Sequence, residues 1–174
     1  ACNYEVIFAC DGRPLKLLKN EFPDNDFIKL AGYDISYPKN GNMTCSMMWQ
    51  SFKILRKIKA ENKAIKSLIQ DFKIDGIISD NRYGLRHADI PSVFITHQLN
   101  IQSNYFQSTI QNINCKFIKK FDECWIADSE FNRLSADLST INKPAFPIKF
   151  TGLLSRFKNL SKTEEIEVLA IVSG

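Results

Sequence analysis

No stretch of this chain is apolar for long enough to cross a bilayer. A helical span needs about 20 consecutive apolar residues, and every apolar run here is broken far sooner by Lys, Asp, Asn or Gly. The charged start and apolar centre of a signal peptide are not seen either. A soluble protein is therefore expected, or one bound only at a membrane surface. Cysteine is sparse and unpatterned: Cys2, Cys10, Cys45, Cys115 and Cys124 form an odd set with no C-x-x-C pair. That argues against a disulfide framework and a zinc site, so a reducing cytoplasm is the expected setting and no metal is expected. Glycine is also scarce, with 7 residues and neither G-x-G-x-x-G nor a P-loop. Nothing in these residues cradles a nucleotide through the usual glycine signature. The net charge of +4 is too small to require nucleic acid as a partner.

What is present describes a globular protein. At 174 residues the chain is long enough to bury one core without staples. With 44% hydrophobic and 24% charged residues it is too apolar for disorder. Strands alternate with helices. "YEVIFAC" (4–10) reads as a strand closed by Asp11-Gly12, and "RPLKLLKNEF" repeats Leu15, Leu18 and Phe22 at helical spacing. "DFIKLAG" is a second strand, and "DISYPKNGNMT", with Pro38, Asn40 and Gly41, is a loop. A long helix over 47–72 is predicted from Phe52, Leu55, Ile58, Ile65, Leu68, Ile69 and Phe72, which fall on one stripe. Its other face holds Lys53, Arg56, Lys57, Lys59, Lys63 and Lys66. Such a face is either a solvated surface, diluted by Glu61 and Asp71, or a patch that meets lipid headgroups or phosphates.

"DGIISD" (75–80) and "PSVFITH" (91–97) are near-continuous apolar runs, the pattern of parallel strands covered on both faces. The loop between them, "NRYGLRHADI", is too short for a regular crossover helix, so a helical turn or a direct crossover at the sheet's end is expected. An amphipathic helix over 103–121 follows, with Phe106, Ile110, Ile113, Phe117 and Phe121 on its apolar side. "ECWIAD" is a further strand, Ser129 is positioned to cap a short helix beginning at Glu130-Phe131, and "FPIKFTG" is a strand again. The fold class predicted is α/β: a Rossmann-like, mostly parallel sheet with helices on both faces. Residues 1–153 are expected to form that domain without its first strand. A polar linker then covers 154–165, and 166–174 ("IEVLAIVSG") begins a second domain.

The motifs "DGIISDNRYG", "IPSVFITHQLN", "ECWIADSE", "FTGLLSR" and "VLAIVSG", taken in order, resemble the inverting glycosyltransferases of the GT-B fold. Within these, the chain is similar to the N-acetylglucosaminyltransferases that act on the peptidoglycan lipid intermediate. The family's acceptor-domain strand ends in His-Glu-Gln-Asn, and "HQLN" (97–100) stands at the matching place. "RYG" is similar to the Gly-Tyr loop before it, "GLLSR" (152–156) to the Gly-Asn-Pro-Val-Arg linker, and "VLAIVSG" to the strand that enters the Gly-Gly-Ser loop. Two departures are plain. Gln98 replaces the acidic residue after the histidine, and the early Gly-Gly-x-Gly-His loop has no counterpart.

The resemblance implies a hexosyltransferase of which this chain is the N-terminal, acceptor-binding part. The 174 residues alone are then expected to be inactive. The donor would be a nucleotide sugar, a co-substrate rather than a cofactor, bound beyond Gly174. The acceptor would be a sugar or a lipid-linked sugar, with nucleic acid excluded and peripheral association with a membrane left open. Candidate residues lie at the carboxyl ends of strands, where open α/β sheets place ligands. His97 suits proton transfer at neutral pH, or else is a structural histidine ending a strand. Asp80 is a base, a partner that orients His97, or an Asx-turn into Asn81. Gln98 and Asn100 offer amides to sugar hydroxyls. Tyr83 and Gly84 would line the acceptor pocket, and Arg82 or Arg86 would meet an acidic acceptor; His87 reads as a loop residue. Two other classes share the pattern. A nucleotide-sugar epimerase has the same two-domain plan but would release free monosaccharide without an acceptor. A non-catalytic Rossmann-like binding module fits the lack of glycine loops.

Overall fold

The computed structural model describes residues 4–30, 43–101, 107–131, 138, 144–152 and 154, with 43–52 as helix backbone. The chain is α/β, with parallel strands flanked by helices in a Rossmann-like manner. It divides into two compact units, Ala1–Ser67 and Leu68–Gly174.

The first unit holds β1 (Ile7–Cys10), α1 (Gly12–Glu21) and β2 (Asp26–Lys29). β1 and β2 pair in parallel from Ile7–Asp26 to Cys10–Lys29, and Leu30 N–H extends the ladder to the Cys10 carbonyl at 3.2 Å. Asp11 is the N-cap of α1. Its backbone is extended, and its carboxylate accepts from Gly12 N–H at 2.8 Å. One orphan donor of the first turn is satisfied in this way. Gly12 follows at φ +63°, a conformation that favours glycine. Phe8 stacks on Phe22 and Phe27 at 5.3 and 5.4 Å. These ring contacts tie β1 to β2 and to the end of α1.

A single helix, α2 (Met43–Phe72), starts before the predicted 47 and ends where expected. Ile58, Glu61 and Ile65 are buried along one side, whereas Leu55 and Phe72 of the expected stripe are exposed, at 41% and 42%. The helix stops at Lys73, whose φ of +51° turns the chain so that Ile74 N–H reaches the Ile69 carbonyl. A left-handed residue at this place is a common way to end a helix.

The second unit is built on β3 (Ile77–Asp80), β4 (Ser92–Thr96), β5 (Glu123–Ile126) and β6 (Ile148–Phe150), with α3 (Gln107–Ile118) between β4 and β5. The four strands lie in chain order and all pair in parallel. All four carboxyl ends therefore share one edge. β3 and β4 are neighbours without a helix between them, so the direct crossover is the arrangement found. Side chains of the connection fill the place of a helix. Leu85 is 6% exposed, and Tyr83 stacks on Phe94 at 5.1 Å and meets Phe117 at 5.3 Å.

The core of this unit comprises Phe94, Leu99, Ile118, Phe121, Cys124, Ile126 and Phe146. Each large apolar side chain so buried contributes about 1.5–3 kcal/mol. Two expectations need correction. Coverage on both faces of the strands fails for β3, which alternates strictly: Ile77 and Ser79 are buried, but Ile78 is 64% exposed. Serines take inner places in this sheet, where their hydroxyls bond backbone. Ser79 donates to the Arg82 carbonyl, and Ser92 donates to the Ile90 carbonyl at 2.9 Å. The second correction is the phase of α3. Ile113 is 48% exposed while Asn114 and Ile118 are buried, so the inner face runs through 111, 114, 115 and 118. The helix also ends before 121, in a turn where Phe121 N–H bonds the Ile118 carbonyl at 2.9 Å. Glu130 and Phe131 form a bend rather than the start of a helix. The linker over 155–165, the strand over 166–174, most of "GLLSR", the end of "DFIKLAG" (31–32) and the loop "DISYPKNGNMT" up to residue 42 lie outside the described residues.

Candidate functional site at the carboxyl edge

β4 delivers its polar end through a turn made by Thr96. That side chain is 2% exposed, and its hydroxyl accepts from Gln98 N–H at 3.1 Å and donates to the Gln98 carbonyl at 3.3 Å. The backbone reverses around this hydroxyl, and His97 stands exposed at the tip. Leu99 then drops back into the core at 1% exposure. Its N–H and that of Asn100 both donate to the Leu138 carbonyl at 2.8 Å. Among the described residues none hydrogen-bonds the His97 imidazole, and the residue is exposed.

Two amides of α3 grip this loop from below. Gln111 Nε2 donates to the Leu99 carbonyl at 2.9 Å while its Oε1 accepts from Ile101 N–H at 3.0 Å. Asn114 Nδ2 donates to the same carbonyl at 3.1 Å, and Asn114 Oδ1 accepts from the Tyr83 hydroxyl at 2.7 Å. Asn114 thus joins the β3–β4 connection to the loop that bears His97. The amide is only 4% exposed, and its burial is tolerated because its partners satisfy it. No buried polar side-chain atom among the described residues lacks a partner.

Asp80 closes β3 and is exposed, with Oδ1 accepting from Asn81 Nδ2 at 3.2 Å. Asn81 sits at φ +52°, and its N–H donates to the Ile95 carbonyl at 3.2 Å. This ties the end of β3 to β4 beside the Thr96 turn. Asp80 and His97 therefore leave adjacent strands at one edge, but neither hydrogen-bonds the other among the described residues. Asp80 does not orient His97 by direct contact.

The other predicted residues fall into two groups. Gln98 and Asn100 are half-buried beside His97, and the backbone of each is anchored by the bonds above. Tyr83 faces inward, and burial, followed by the nearby Cys115 and Cys124 thiols, pushes its phenol up to about 12. Its contacts are those of a packing residue that supports the loop from inside. Gly84 is buried and Arg82 and Arg86 are half-buried on the same connection, where the Gly84 carbonyl accepts from Arg86 N–H at 3.1 Å. His87 is half-buried in that connection too, its Nδ1 accepting from Asp89 N–H at 3.3 Å.

Four residues at this edge are not singled out by the sequence: Thr96, Gln111, Asn114 and Asp128. Asp128 follows β5 and is fully buried; its Oδ1 accepts from Ser129 N–H at 2.7 Å, and its carbonyl accepts from Gly152 N–H at 3.1 Å. Gly152, at φ +79°, carries the chain away from β6 at the same edge. No local pattern marks the two amides of α3, because Gln111 and Asn114 lie beside the apolar stripe that the periodicity predicts. Among the described residues, no three His, Cys, Asp or Glu side chains gather as a metal site would require. No described helix is both long and apolar enough to cross a membrane.

The chain matches no protein-family model, no curated protein and no solved structure.

Proposed function

We propose that the carboxyl edge of the β3–β6 sheet is the acceptor side of an inverting nucleotide-sugar glycosyltransferase of GT-B type, with His97 as its base. The observation that carries this reading is the His97 tip: an exposed imidazole held between buried Thr96 and buried Leu99. A group that must meet a substrate hydroxyl at hydrogen-bond distance gains from such a support. The order of the five motifs agrees with the same family, and Asp80 on the adjacent strand supplies a second polar group at the edge.

In this reading an acceptor hydroxyl gives its proton to the His97 imidazole as its oxygen bonds the anomeric carbon of the donor. The bond from that carbon to the diphosphate breaks, and the electron pair leaves with the nucleoside diphosphate. Gln98 and Asn100 would offer their amides, each both donor and acceptor, to acceptor hydroxyls. Gln98 cannot serve as the base in place of the family's carboxylate, which leaves that work to His97.

The test is nucleoside diphosphate release by the full-length protein, assayed over a panel of nucleotide sugars with and without acceptor sugars. Acceptor-dependent release is expected, and His97→Ala is expected to lower kcat by about 10²-fold or more. The exposed imidazole can be removed without loss of stability, so the unfolding midpoint should hold. An unchanged kcat in His97→Ala removes the assigned role. Free monosaccharide formed without an acceptor would indicate an epimerase instead.

A further inference from the structure

The carboxamide of Gln111 meets the loop that bears His97 as a piece of backbone would. Gln111 is half-buried in the second turn of α3. Its Oε1 accepts from Ile101 N–H at 3.0 Å and its Nε2 donates to the Leu99 carbonyl at 2.9 Å. A residue of a parallel strand bonds its neighbour in the same way, to the carbonyl before one residue and to the N–H after it. Asn100 is the residue bracketed here. Nε2 also reaches the Cys115 Sγ at 3.5 Å, so the amide has one orientation. Reversed, it would set oxygen against the Leu99 carbonyl and N–H against N–H. An apolar side chain of that length would fill the same space without any of these bonds.

We infer that Gln111 is a positioning residue for the acceptor, fixing the backbone that carries His97, Gln98 and Asn100 by bracketing Asn100; the inference rests on the glycosyltransferase reading. Residues 97–101 lie beyond the end of β4 and have left the ladder that would hold them. A loop left free there must be ordered each time an acceptor binds, at a cost in affinity and in aim. Gln111 supplies the missing rung in advance, from a helix whose Asn114 and Ile118 are buried. Groups that meet a substrate need such support, because their aim must hold to about 0.5 Å. Asn114 shares the Leu99 carbonyl at 3.1 Å, so the Ile101 N–H is the contact that reports on Gln111.

The test uses Gln111→Met in the full-length protein, which keeps the length of the side chain and removes the amide. Amide hydrogen exchange is expected to quicken at Ile101. It should stay at the wild-type rate at Cys124 in β5, whose N–H donates to the Pro147 carbonyl at 2.9 Å. In the nucleoside diphosphate assay, kcat/KM for the acceptor is expected to fall by about 10²-fold, as about 1 Å of misplacement can cause, with the KM for the nucleotide sugar unchanged. A residue that only supported the fold would lower kcat by the unfolded fraction and leave both KM values alone. Gln111→Glu keeps the shape and the acceptor for Ile101 but not the donor for Leu99. It should show a smaller fall in the same direction, and it carries the test should the first variant not fold. Wild-type acceptor kinetics in either folded variant overturns the positioning role, and so does wild-type exchange at Ile101 in Gln111→Met. Absence of acceptor-dependent release by the unmutated protein overturns the glycosyltransferase reading first, and the positioning role with it.

Discussion

At the scale of single residues, Asn114 connects the most. Its Oδ1 accepts a hydrogen bond from the Tyr83 hydroxyl at 2.7 Å, and its Nδ2 donates one to the Leu99 carbonyl at 3.1 Å. Truncation to alanine would leave the Tyr83 hydroxyl, inside a cluster with Phe94 and Phe117, without its acceptor. The Leu99 carbonyl would keep its bond from Gln111. An unsatisfied buried group costs about 1–3 kcal/mol, so Asn114→Ala is expected to destabilise by that amount in urea unfolding. A change within about 0.5 kcal/mol, typical of a surface substitution, would show that the amide is not needed. The same residue marks what sequence conceals. Polar Asn114 next to apolar Ile113 reads as an outward residue beside an inward one, and the structure reverses them because Leu99 and Tyr83, distant in sequence, supply the partners.

Elements were easier to read than their surroundings. All the described strands fall within predicted runs because short apolar segments bounded by Asp, Gly and Pro punctuate this chain, and α1, α2 and α3 were visible in their periodicity. Their ends and faces were less legible. A stripe with a helical period tolerates a shift of one residue, so Ile113 reads as inward, and an apolar strand does not tell how many of its faces are covered. The candidate edge was legible through the polar ends of β3 and β4, whereas the Thr96 turn and the amides of α3 depend on contacts that no local pattern encodes. A contrast between two strands tests the resulting picture of the sheet. Phe94 in β4 is 1% exposed and stacked on Tyr83, with Phe121 at 5.1 Å. Phe94→Ala should therefore cost about 3–5 kcal/mol. Ile78→Thr in β3, on the open face, should stay within about 0.5 kcal/mol. Comparable losses in both would mean that both faces of β3 are covered in the folded protein.

For the whole molecule, the buried acids of the second unit set its response to alkali. Burial, with the Cys115 and Cys124 thiols adding to it, raises the Tyr83 phenol from 10.0 to about 12. Burial, with Cys115 again adding, raises the Cys124 thiol from 9.0 to about 12. Both groups hold their protons more tightly when folded than when unfolded. Their contribution to stability is therefore complete below about pH 9, falls as the unfolded chain begins to lose these protons, and is gone above about pH 12. Each proton held only by the folded state lowers the unfolding free energy by about 1.4 kcal/mol per pH unit within its window. Urea unfolding between about pH 8 and about pH 11 should show that decline, beginning with the Cys124 window and steepening as Tyr83 enters it. Tyr83→Phe keeps the ring and removes the acid, so its slope above about pH 10 should be shallower than that of the wild type by about one proton. Cys124→Ala should flatten the portion that begins near about pH 9, whatever it costs in stability at neutral pH. Slopes identical to wild type in both variants would mean that neither group stays protonated in the folded core at high pH.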